Sequence, residues 1–145
     1  MIRRNLLDLN VLIALTEPCH THHQKARNWF TSTGRESWGI CPFTETGFLR
    51  ITTNPAFGPG PRTMGQAIAV LQSLKKYPGF CYWQINKSWL DLTARFAGRI
   101  FGHQQVTDAY LLGLAIADNG VLVTFDRAII SLAGREFAGN VFLVE

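Results

Sequence analysis

The sequence predicts an α/β protein, a three-layer α/β/α sandwich with a mostly parallel central sheet. Short apolar runs alternate with segments of helical periodicity, which is typical of βαβ units with right-handed crossovers. The chain has 145 residues, of which 47% are hydrophobic and 17% are charged. A chain of this length buries roughly 68–70% of its unfolded surface. We therefore expect residues 1–145 to form a single domain without disulfides or a structural metal.

The predicted strands are short apolar runs that end at polar or turn-forming residues. Each is separated from the next by at least one helical segment, so a sheet covered on both faces is expected. These strands are 5–8, 37–41, 80–85, 121–125 and 141–144.

The predicted helices have apolar residues spaced three and four apart. Segment 108–117 is apolar nearly all round, which indicates a buried helix, and Asn119-Gly120 ends it. Segment 63–76 is clearly amphipathic, and its expected inner face is Met64, Ala67, Ile68, Leu71 and Leu74. The other predicted helices are 10–16, 22–32, 44–52, 87–100 and 127–133.

Composition excludes several classes of protein. No apolar run reaches the 18 or so residues of a membrane span, and no signal-peptide core follows Arg3-Arg4. The three cysteines are too few and too widely spaced for a disulfide framework, so we expect a cytoplasmic protein. Cys41 and Cys81 lie in apolar runs, where free cysteine behaves as a small hydrophobe. The tryptophans are expected to pack in the core rather than on bases: Trp29, Trp38, Trp83 and Trp89.

Four acidic residues are expected at one edge of the sheet. Asp8 ends the first strand, Glu45 follows the second, and Asp126 follows strand 121–125. The carboxyl ends of parallel strands meet at one edge, where sites in such sheets gather. Asp108 begins a helix that runs back toward the start of strand 121–125, so it belongs at the edge where Asp126 lies.

Helix capping explains each acid singly but not the group. Asp is a favoured N-cap worth about 1 kcal/mol, and Glu in a first turn complements the helix dipole. However, two carboxylates 4 Å apart repel by about 1 kcal/mol in water and about 4 kcal/mol at an effective dielectric of 20. Clustered carboxylate oxygens suit Mg²⁺ or Mn²⁺, and helix N-termini favour a phosphate. Without these four acids the chain has 14 basic and 6 acidic residues, as suits a nuclease.

The segments around these acids are LDLNVLIAL at 7–15, CPFTETGFLR at 41–50, VTDAYL at 106–111 and VTFD at 123–126. In this order they resemble PIN-domain nucleases, specifically the VapC-type toxins of bacterial toxin–antitoxin pairs. The likeness runs almost from end to end of the chain. It implies the same sandwich fold that the periodicity predicts independently.

The resemblance implies a Mg²⁺- or Mn²⁺-dependent endoribonuclease, usually a homodimer, whose substrate is RNA and whose partner is a VapB-like antitoxin. By motif position, Asp8, Glu45, Asp108 and Asp126 are the catalytic, metal-binding quartet. Our hypothesis is that Asp8 and Asp108 hold the principal metal. Glu45 and Asp126 then complete its shell through water or a second metal. A metal held there would polarise the scissile phosphate and lower the pKa of a bound water for in-line attack.

Further polar residues are candidates for supporting roles. Asn10, Thr107 and Thr124 adjoin the acids, where they hydrogen-bond the carboxylates or the phosphate, or else cap locally. Basic residues are candidates for RNA phosphate contacts, with a solvated helix face as the alternative for each one. This weaker group is Arg50, Arg62, Lys87, Arg95 and Arg99.

Histidine-based sites are less favoured. The segment Cys19-His20-Thr21-His22-His23 has no second Cys/His pair at zinc-like spacing, so a helix start is the preferred interpretation. His103 is close to Asp108 in sequence and is either a proton-transfer group or, as we prefer, a surface loop residue.

Two other functions remain open from the residues. A metal-dependent phosphatase with an aspartyl nucleophile fits a similar sheet, but it needs a second acid two positions after Asp8, where this chain has Asn10. A non-catalytic RNA- or protein-binding module is the other alternative. Hydrolysis of a small phosphomonoester but not of RNA distinguishes the first, and binding without metal-dependent cleavage distinguishes the second.

Overall fold

A parallel four-stranded sheet lies at the centre of the protein. The computed structural model describes residues 3–58 and 60–145. The strands are β1 (Asn5–Leu7), β2 (Trp38–Gly39), β3 (Val121–Thr124) and β4 (Val141–Leu143). Their order across the sheet is β2-β1-β3-β4, and every pair is parallel. The carboxyl ends of β1 and β3 are therefore adjacent at one edge.

Helices connect the strands and cover both faces of the sheet. They are α1 (Leu9–Thr16), α2 (His23–Ser32), α3 (Pro42–Thr52), α4 (Met64–Leu74), α5 (Trp89–Thr93), α6 (Val106–Ala117) and α7 (Arg127–Ala133). Short 3₁₀ turns lie at Gly34–Glu36, Ala97–Arg99, His103–Gln105 and Ala138–Asn140. Asn119 has a φ of 50° in the turn that ends α6, a left-handed conformation that Asn tolerates.

Two apolar cores lie on opposite faces of the sheet. Leu6 and Leu122 belong to the core formed with α5, α6 and α7. Leu7 and Val123 belong to the core formed with α1, α2, α3 and α4. Successive residues of a strand point to opposite faces, so β1 and β3 each contribute to both cores. The predicted three-layer α/β/α sandwich is confirmed.

The predicted strand 80–85 is wrong as a regular strand. Phe80 forms an isolated parallel bridge with Trp38. Beyond it, the N–H groups of Cys81 and Trp83 donate to the carbonyls of Trp38 and Ile40, at 2.8 and 2.9 Å. The segment therefore lies along β2 as an irregular edge, since β2 is only two residues long. Cys81 is exposed at this edge, whereas the expected burial of Cys41 is confirmed.

Two helix predictions also differ from the structure. The helix expected at 87–100 is an α-helix only over α5, which ends at Thr93, and it is followed by the 3₁₀ turn at Ala97–Arg99. The Phe96 ring is buried and lies edge-on to Phe137, with centroids 6.1 Å apart. In α4, Ala67 and Leu71 are buried as expected, but Met64 and Ile68 are exposed because this peripheral helix packs with a narrower face.

The tryptophans divide into two pairs. Trp38 and Trp83 are buried in the core, as expected, whereas Trp29 and Trp89 are only partly buried. The Trp89 indole donates to the carbonyl of Val106 at 2.9 Å. Within 3–58 and 60–145, every helix is too short or too polar to cross a membrane.

Candidate active site

Asp8 lies at the carboxyl end of β1 and caps the N-terminus of α1. Its Oδ1 accepts the N–H of Leu9 at 2.8 Å, and its Oδ2 accepts the hydroxyl of Thr124 at 2.7 Å. Asp8 is only 6% exposed. Burial raises the pKa of its carboxyl, and the hydrogen bonds from Thr124 and Leu9 partly oppose that rise. The site therefore contains a nearly buried carboxylate held by two donors.

Asp126 follows β3 and caps α7, with Oδ1 accepting the N–H of Ala128 at 2.9 Å. The N–H of Asp126 donates to the Thr124 hydroxyl at 3.0 Å. The same hydroxyl thus contacts both Asp8 and the backbone of Asp126. Asp8 and Asp126 each cap a helix, and they also lie at the same edge of the sheet. Helix capping and membership of a shared site are therefore compatible explanations for these two residues.

Asp108 lies at the same edge because α6 runs antiparallel to β3, so that the start of the helix lies near the end of the strand. Helix α6 begins two residues earlier than expected, so Asp108 lies in its first turn rather than at its cap. Burial, followed by the negative charges of Asp8 and Asp126, raises the pKa of Asp108 from 3.8 to about 6. The Asp126 charge also raises the pKa of Asp8. The charges of Asp8 and Asp126 therefore act on Asp108, which lies beside each of them in one of two surface depressions.

Within the described parts of the chain, no Lys, Arg or His side chain forms an ion pair with this three-aspartate cluster. Over 3–58 and 60–145 the ion pairs are Arg4–Asp118, Arg62–Glu17, Lys75–Glu45 and Arg95–Glu136, none of which involves the cluster. In the same part of the chain, no three His, Cys, Asp or Glu side chains converge closely enough to enclose a metal. Mg²⁺ does not require such a cage, since it usually binds one or two carboxylates and retains several waters. The donor set therefore fits a hydrated divalent cation.

Glu45 does not join the cluster, contrary to the expectation that all four acids surround one cation. Its Oε2 lies 2.5 Å from Lys75 Nζ, and its Oε1 accepts the hydroxyl of Tyr82 at 3.1 Å. Burial and the hydrogen bond to Glu45 raise the pKa of Tyr82 to about 12. Glu45 thus links α3 to the end of α4 and to the edge segment beside β2.

Helix geometry explains why Glu45 lies elsewhere. The face of α3 beside Asp8 presents Thr46, Gly47 and Arg50, whereas Glu45 belongs to a different face. A Cβ at Gly47 would lie 2.8 Å from Leu9 Cδ2, so glycine permits the close approach of α1 and α3. Asp8 therefore lies next to α3. The α3 residues that face it carry no carboxylate.

Two depressions flank the cluster and share Asp108. The first, of about 300 Å³, lies between α3 and α6 and is lined by Asp8, Phe43, Arg50 and Asp108 among others. The second, of about 410 Å³, lies beside the loop before α6, and its lining includes Phe101, His103, Asp108 and Asp126. Asp108 therefore borders both depressions.

Comparison with known proteins gives close relatives over most of the chain. Ribonuclease VapC44 of Mycobacterium tuberculosis is 39% identical over 126 residues, covering 87% of this chain and 88% of that protein. Ribonuclease VapC38 of the same organism is 40% identical over 128 residues, covering 88% and 89%. This chain belongs to the VapC ribonuclease family. No protein-family model matches it.

Solved structures of VapBC and related complexes share the fold. VapBC2 from Rickettsia felis, bound to a DNA fragment from its promoter, aligns with a TM-score of 0.59 at 14% identity, over 84% of this chain and 87% of that one. DNA-bound VapBC from Salmonella typhimurium has a TM-score of 0.58 at 15% identity, over 98% and 97%. FitAcB from Neisseria gonorrhoeae has a TM-score of 0.57 at 16% identity, over 95% and 96%. At these identities the likeness establishes the VapC fold.

The predicted supporting residues of this VapC-family chain differ in their contacts. Thr124 is buried between Asp8 and Asp126, as described above. Thr107 is exposed and lines the depression beside Asp8. Among the residues described, Asn10 Oδ1 is buried without a hydrogen-bond partner. Thr124 is thus the one of the three with a defined contact to a site carboxylate.

The structure divides the predicted RNA-binding residues. Arg50 is exposed in the depression beside Asp8 and Asp108, and Lys87 is exposed in another hollow, which Arg4 also lines. Arg62 donates to the Thr16 carbonyl and pairs with Glu17, so it does not point freely into solvent. Of these three predicted RNA-binding residues, Arg50 is the one that lies beside the aspartates.

The last two candidates, Arg95 and Arg99, lie near α7. Arg95 pairs with Glu136 and lies over the Phe137 ring at 4.7 Å. Arg99 donates to the carbonyls of Leu132 and Ala133 at 2.8 and 2.9 Å, and so satisfies the C-terminal end of α7. These contacts indicate structural roles for both side chains in this VapC-family protein.

The histidines at the start of α2 form no metal cluster within the part of the chain that the structure covers. His23 Nδ1 lies 2.7 Å from the Ala14 carbonyl, and the His22 ring stacks on Phe125 at 4.9 Å. These contacts fix the start of α2 against α1 and β3. His103 is exposed in a short surface turn, as expected, and it lines the depression that also contains Asp108 and Asp126.

Proposed function

We propose that this chain is the toxin endoribonuclease of a VapBC-type toxin–antitoxin pair and cleaves RNA at the three-aspartate cluster. The observation that carries the proposal is the gathering of Asp8, Asp108 and Asp126 at one edge, without a protein cation in the described residues, in a VapC-family chain. Carboxylates in this state bind a divalent cation and, through it, a phosphate.

Members of the VapC ribonuclease family depend generally on divalent metals. We propose Mg²⁺ or Mn²⁺ for this chain, held by Asp8 and Asp108 with Asp126 as the third carboxylate. When bound, the ion supplies charge stabilisation to the phosphate and a water of lowered pKa. Glu45 is not among the proposed metal ligands, because one of its carboxylate oxygens contacts Lys75 and the other contacts Tyr82.

The protein residues have distinct tasks in this proposal. Thr124 and the N–H of Leu9 fix the orientation of the Asp8 carboxylate, and the N–H of Ala128 fixes that of Asp126. Asp108, whose pKa of about 6 reflects burial and two neighbouring negative charges, holds a proton at acid pH and releases it as a cation neutralises the cluster. Arg50 contacts an RNA phosphate in the adjoining depression.

The partners follow from the family. The solved relatives are VapBC and FitAcB complexes, so we propose that a VapB-like antitoxin neutralises this chain and that the toxin is a homodimer. We also propose that residues 1–145 act as one nuclease domain in the cytoplasm.

The decisive experiment measures RNA cleavage by purified protein with Mg²⁺, with Mn²⁺ and with EDTA. We expect cleavage with either ion and none with EDTA. Asp8→Asn and Asp108→Asn should each reduce cleavage by at least about 100-fold while the circular dichroism spectrum is preserved. Asp91→Asn, which changes an exposed carboxylate in α5, is the matched control and should cleave normally.

Cleavage by Asp8→Asn at the wild-type rate would contradict the site. Hydrolysis of a small phosphomonoester in place of RNA would favour the phosphatase alternative, against which Asn10 already speaks. RNA binding without metal-dependent cleavage would favour a binding module.

A further inference from the structure

We propose that Phe43 and Phe101 stack on unpaired RNA bases at the two sides of the three-aspartate cluster. The proposal rests on the proposed ribonuclease function and names the residues that orient its substrate. Each ring lines one of the two depressions, and Asp108 borders both. The aromatic rings therefore flank the carboxylates along the path that the RNA would follow.

Phe101 carries an almost fully exposed ring on a hydrogen-bonded loop. It is 91% exposed, the highest value among the large hydrophobic residues described as exposed. Its backbone is nevertheless held, since its N–H donates to Gln105 Oε1 at 2.7 Å and the Gln105 N–H donates to the Gly102 carbonyl at 3.0 Å. The loop thus presents an apolar ring beside Asp108 and Asp126 without burying it.

Phe43 is half-buried, at 49% exposure, and is oriented by a neighbouring ring. It lies edge-on to Tyr110, with centroids 5.1 Å apart and the planes at 82°. The Tyr110 hydroxyl donates to the Lys87 carbonyl at 2.7 Å, which fixes the supporting ring. Phe43 is therefore positioned by Tyr110 while about half of it remains open at the depression that contains Asp8.

The chemistry of the site favours a nucleobase over another apolar group as the occupant. The carboxylates repel phosphates when no cation is bound, so the neutral part of a nucleotide is the part that can be held there without metal. Aromatic side chains bind bases by stacking with little dependence on sequence. Bases within a duplex present no free face, so the rings select unpaired segments of RNA. Arg50, in the same depression as Phe43, provides for the adjoining phosphate.

The test uses a single-stranded RNA that carries 2-aminopurine, whose fluorescence falls when it stacks on an aromatic ring. Binding is measured in EDTA, so that no cleavage is needed, with the base analogue moved along the strand. We expect wild-type protein to quench at two positions. Phe43→Leu and Phe101→Leu should each abolish the quenching at one position and raise the Kd by roughly 5- to 150-fold. Phe101→Trp, which keeps an aromatic ring at this position, should show both the quenching and the Kd of the wild type.

The matched control is Phe142→Leu, which changes a 45% exposed phenylalanine on β4 that lines neither depression. It should leave quenching and Kd unchanged. Melting temperatures establish that the leucine variants fold.

Unchanged quenching and Kd in both leucine variants would overturn the proposal. So would a change in sedimentation behaviour caused by Phe101→Leu in the absence of RNA, which would show that the ring is buried against a second copy of the chain. Failure of the ribonuclease proposal is distinguishable, because it would appear as absent cleavage with Mg²⁺ whatever the result of the stacking measurements in EDTA.

Discussion

Thr124 Oγ1 donates a 2.7 Å hydrogen bond to Asp8 Oδ2 and accepts the N–H of Asp126 at 3.0 Å. One hydroxyl thus connects residues 116 positions apart in the chain and joins the ends of β1 and β3 to the start of α7. Thr124 is fully buried, so this hydroxyl is shielded from bulk solvent. It contacts two of the three aspartates, the carboxylate of Asp8 and the backbone of Asp126.

Thr124→Val removes this hydroxyl while nearly preserving the volume of the side chain. We expect the variant to lose about 1.5–3 kcal/mol of stability, since the bond involves a carboxylate, and to bind Mg²⁺ about 10- to 100-fold more weakly. Chemical denaturation and metal titration measure the two effects. Thr124→Ser, which retains the hydroxyl, should recover most of both. Wild-type Mg²⁺ affinity in the valine variant would show that Thr124 does not orient Asp8.

Glu45→Gln should separate the two roles open to this residue. Because Glu45 pairs with Lys75 and Tyr82, we expect Mg²⁺ affinity and cleavage within about twofold of wild type and a stability loss of about 0.5–1 kcal/mol. The pKa of Tyr82, about 12 in the wild type, should fall toward its ordinary value of 10.0, as ultraviolet absorbance can measure.

Lys75→Met provides the second arm of that experiment. Its stability loss should be non-additive with that of Glu45→Gln, because the two residues form one ion pair. If Glu45→Gln instead lost Mg²⁺ binding as severely as Asp8→Asn, Glu45 would have to reach the cluster in solution.

The raised pKa of Asp108 predicts how stability depends on pH. The folded state holds this proton more tightly than the unfolded state, since its pKa is about 6 rather than 3.8. The associated stability is therefore present below about pH 4 and is lost as pH rises through 6. In EDTA at pH 7, Asp108→Asn should be more stable than wild type by about 1 kcal/mol, allowing for partial exposure. Denaturation at pH 4 and pH 7 measures the difference.

In saturating Mg²⁺ at pH 7, the wild type should be more stable than Asp108→Asn, which is the reverse of the order expected in EDTA. A cation that binds the folded wild type stabilises it by mass action, whereas Asp108→Asn has lost a ligand. Equal responses of the two proteins to Mg²⁺ would argue against Asp108 as a ligand.

Arg50 and Arg99 should respond differently to neutralisation. Arg50→Gln should weaken RNA binding and reduce the salt dependence of log K by about 0.7, because one phosphate contact to a single strand is lost. Arg99→Gln should leave the salt dependence unchanged but lower stability by about 1–2 kcal/mol, because two carbonyls of α7 lose their donor. Binding titrations at several salt concentrations test both, and a salt slope unaltered in Arg50→Gln would exclude its phosphate contact.

The sequence predicted which residues lie at the edge of the sheet better than it predicted the directions in which their side chains point. Asp8, Asp108 and Asp126 were expected together because chain direction in a parallel sheet fixes where strands end and helices begin. Glu45 was expected with them on the same grounds, but its position on α3 turns it toward Lys75 and Tyr82. Strand 80–85 and helix 87–100 were predicted too regular, because their ends depend on packing against β2 and Phe137 rather than on local pattern.

Periodicity and the placement of Asp, Gly and Pro were enough to predict the layers, the parallel direction of the strands and the edge at which Asp8, Asp108 and Asp126 lie. These features follow from local preferences and from chain direction, both of which are written along the chain. The tertiary structure alone decided that Glu45 forms an ion pair, that Arg62 and Arg99 are tied to carbonyls, and that Phe101 is left bare beside Asp108. Such outcomes depend on which faces of distant helices meet, and a rotation of 100° per residue makes that choice sensitive to every packing contact.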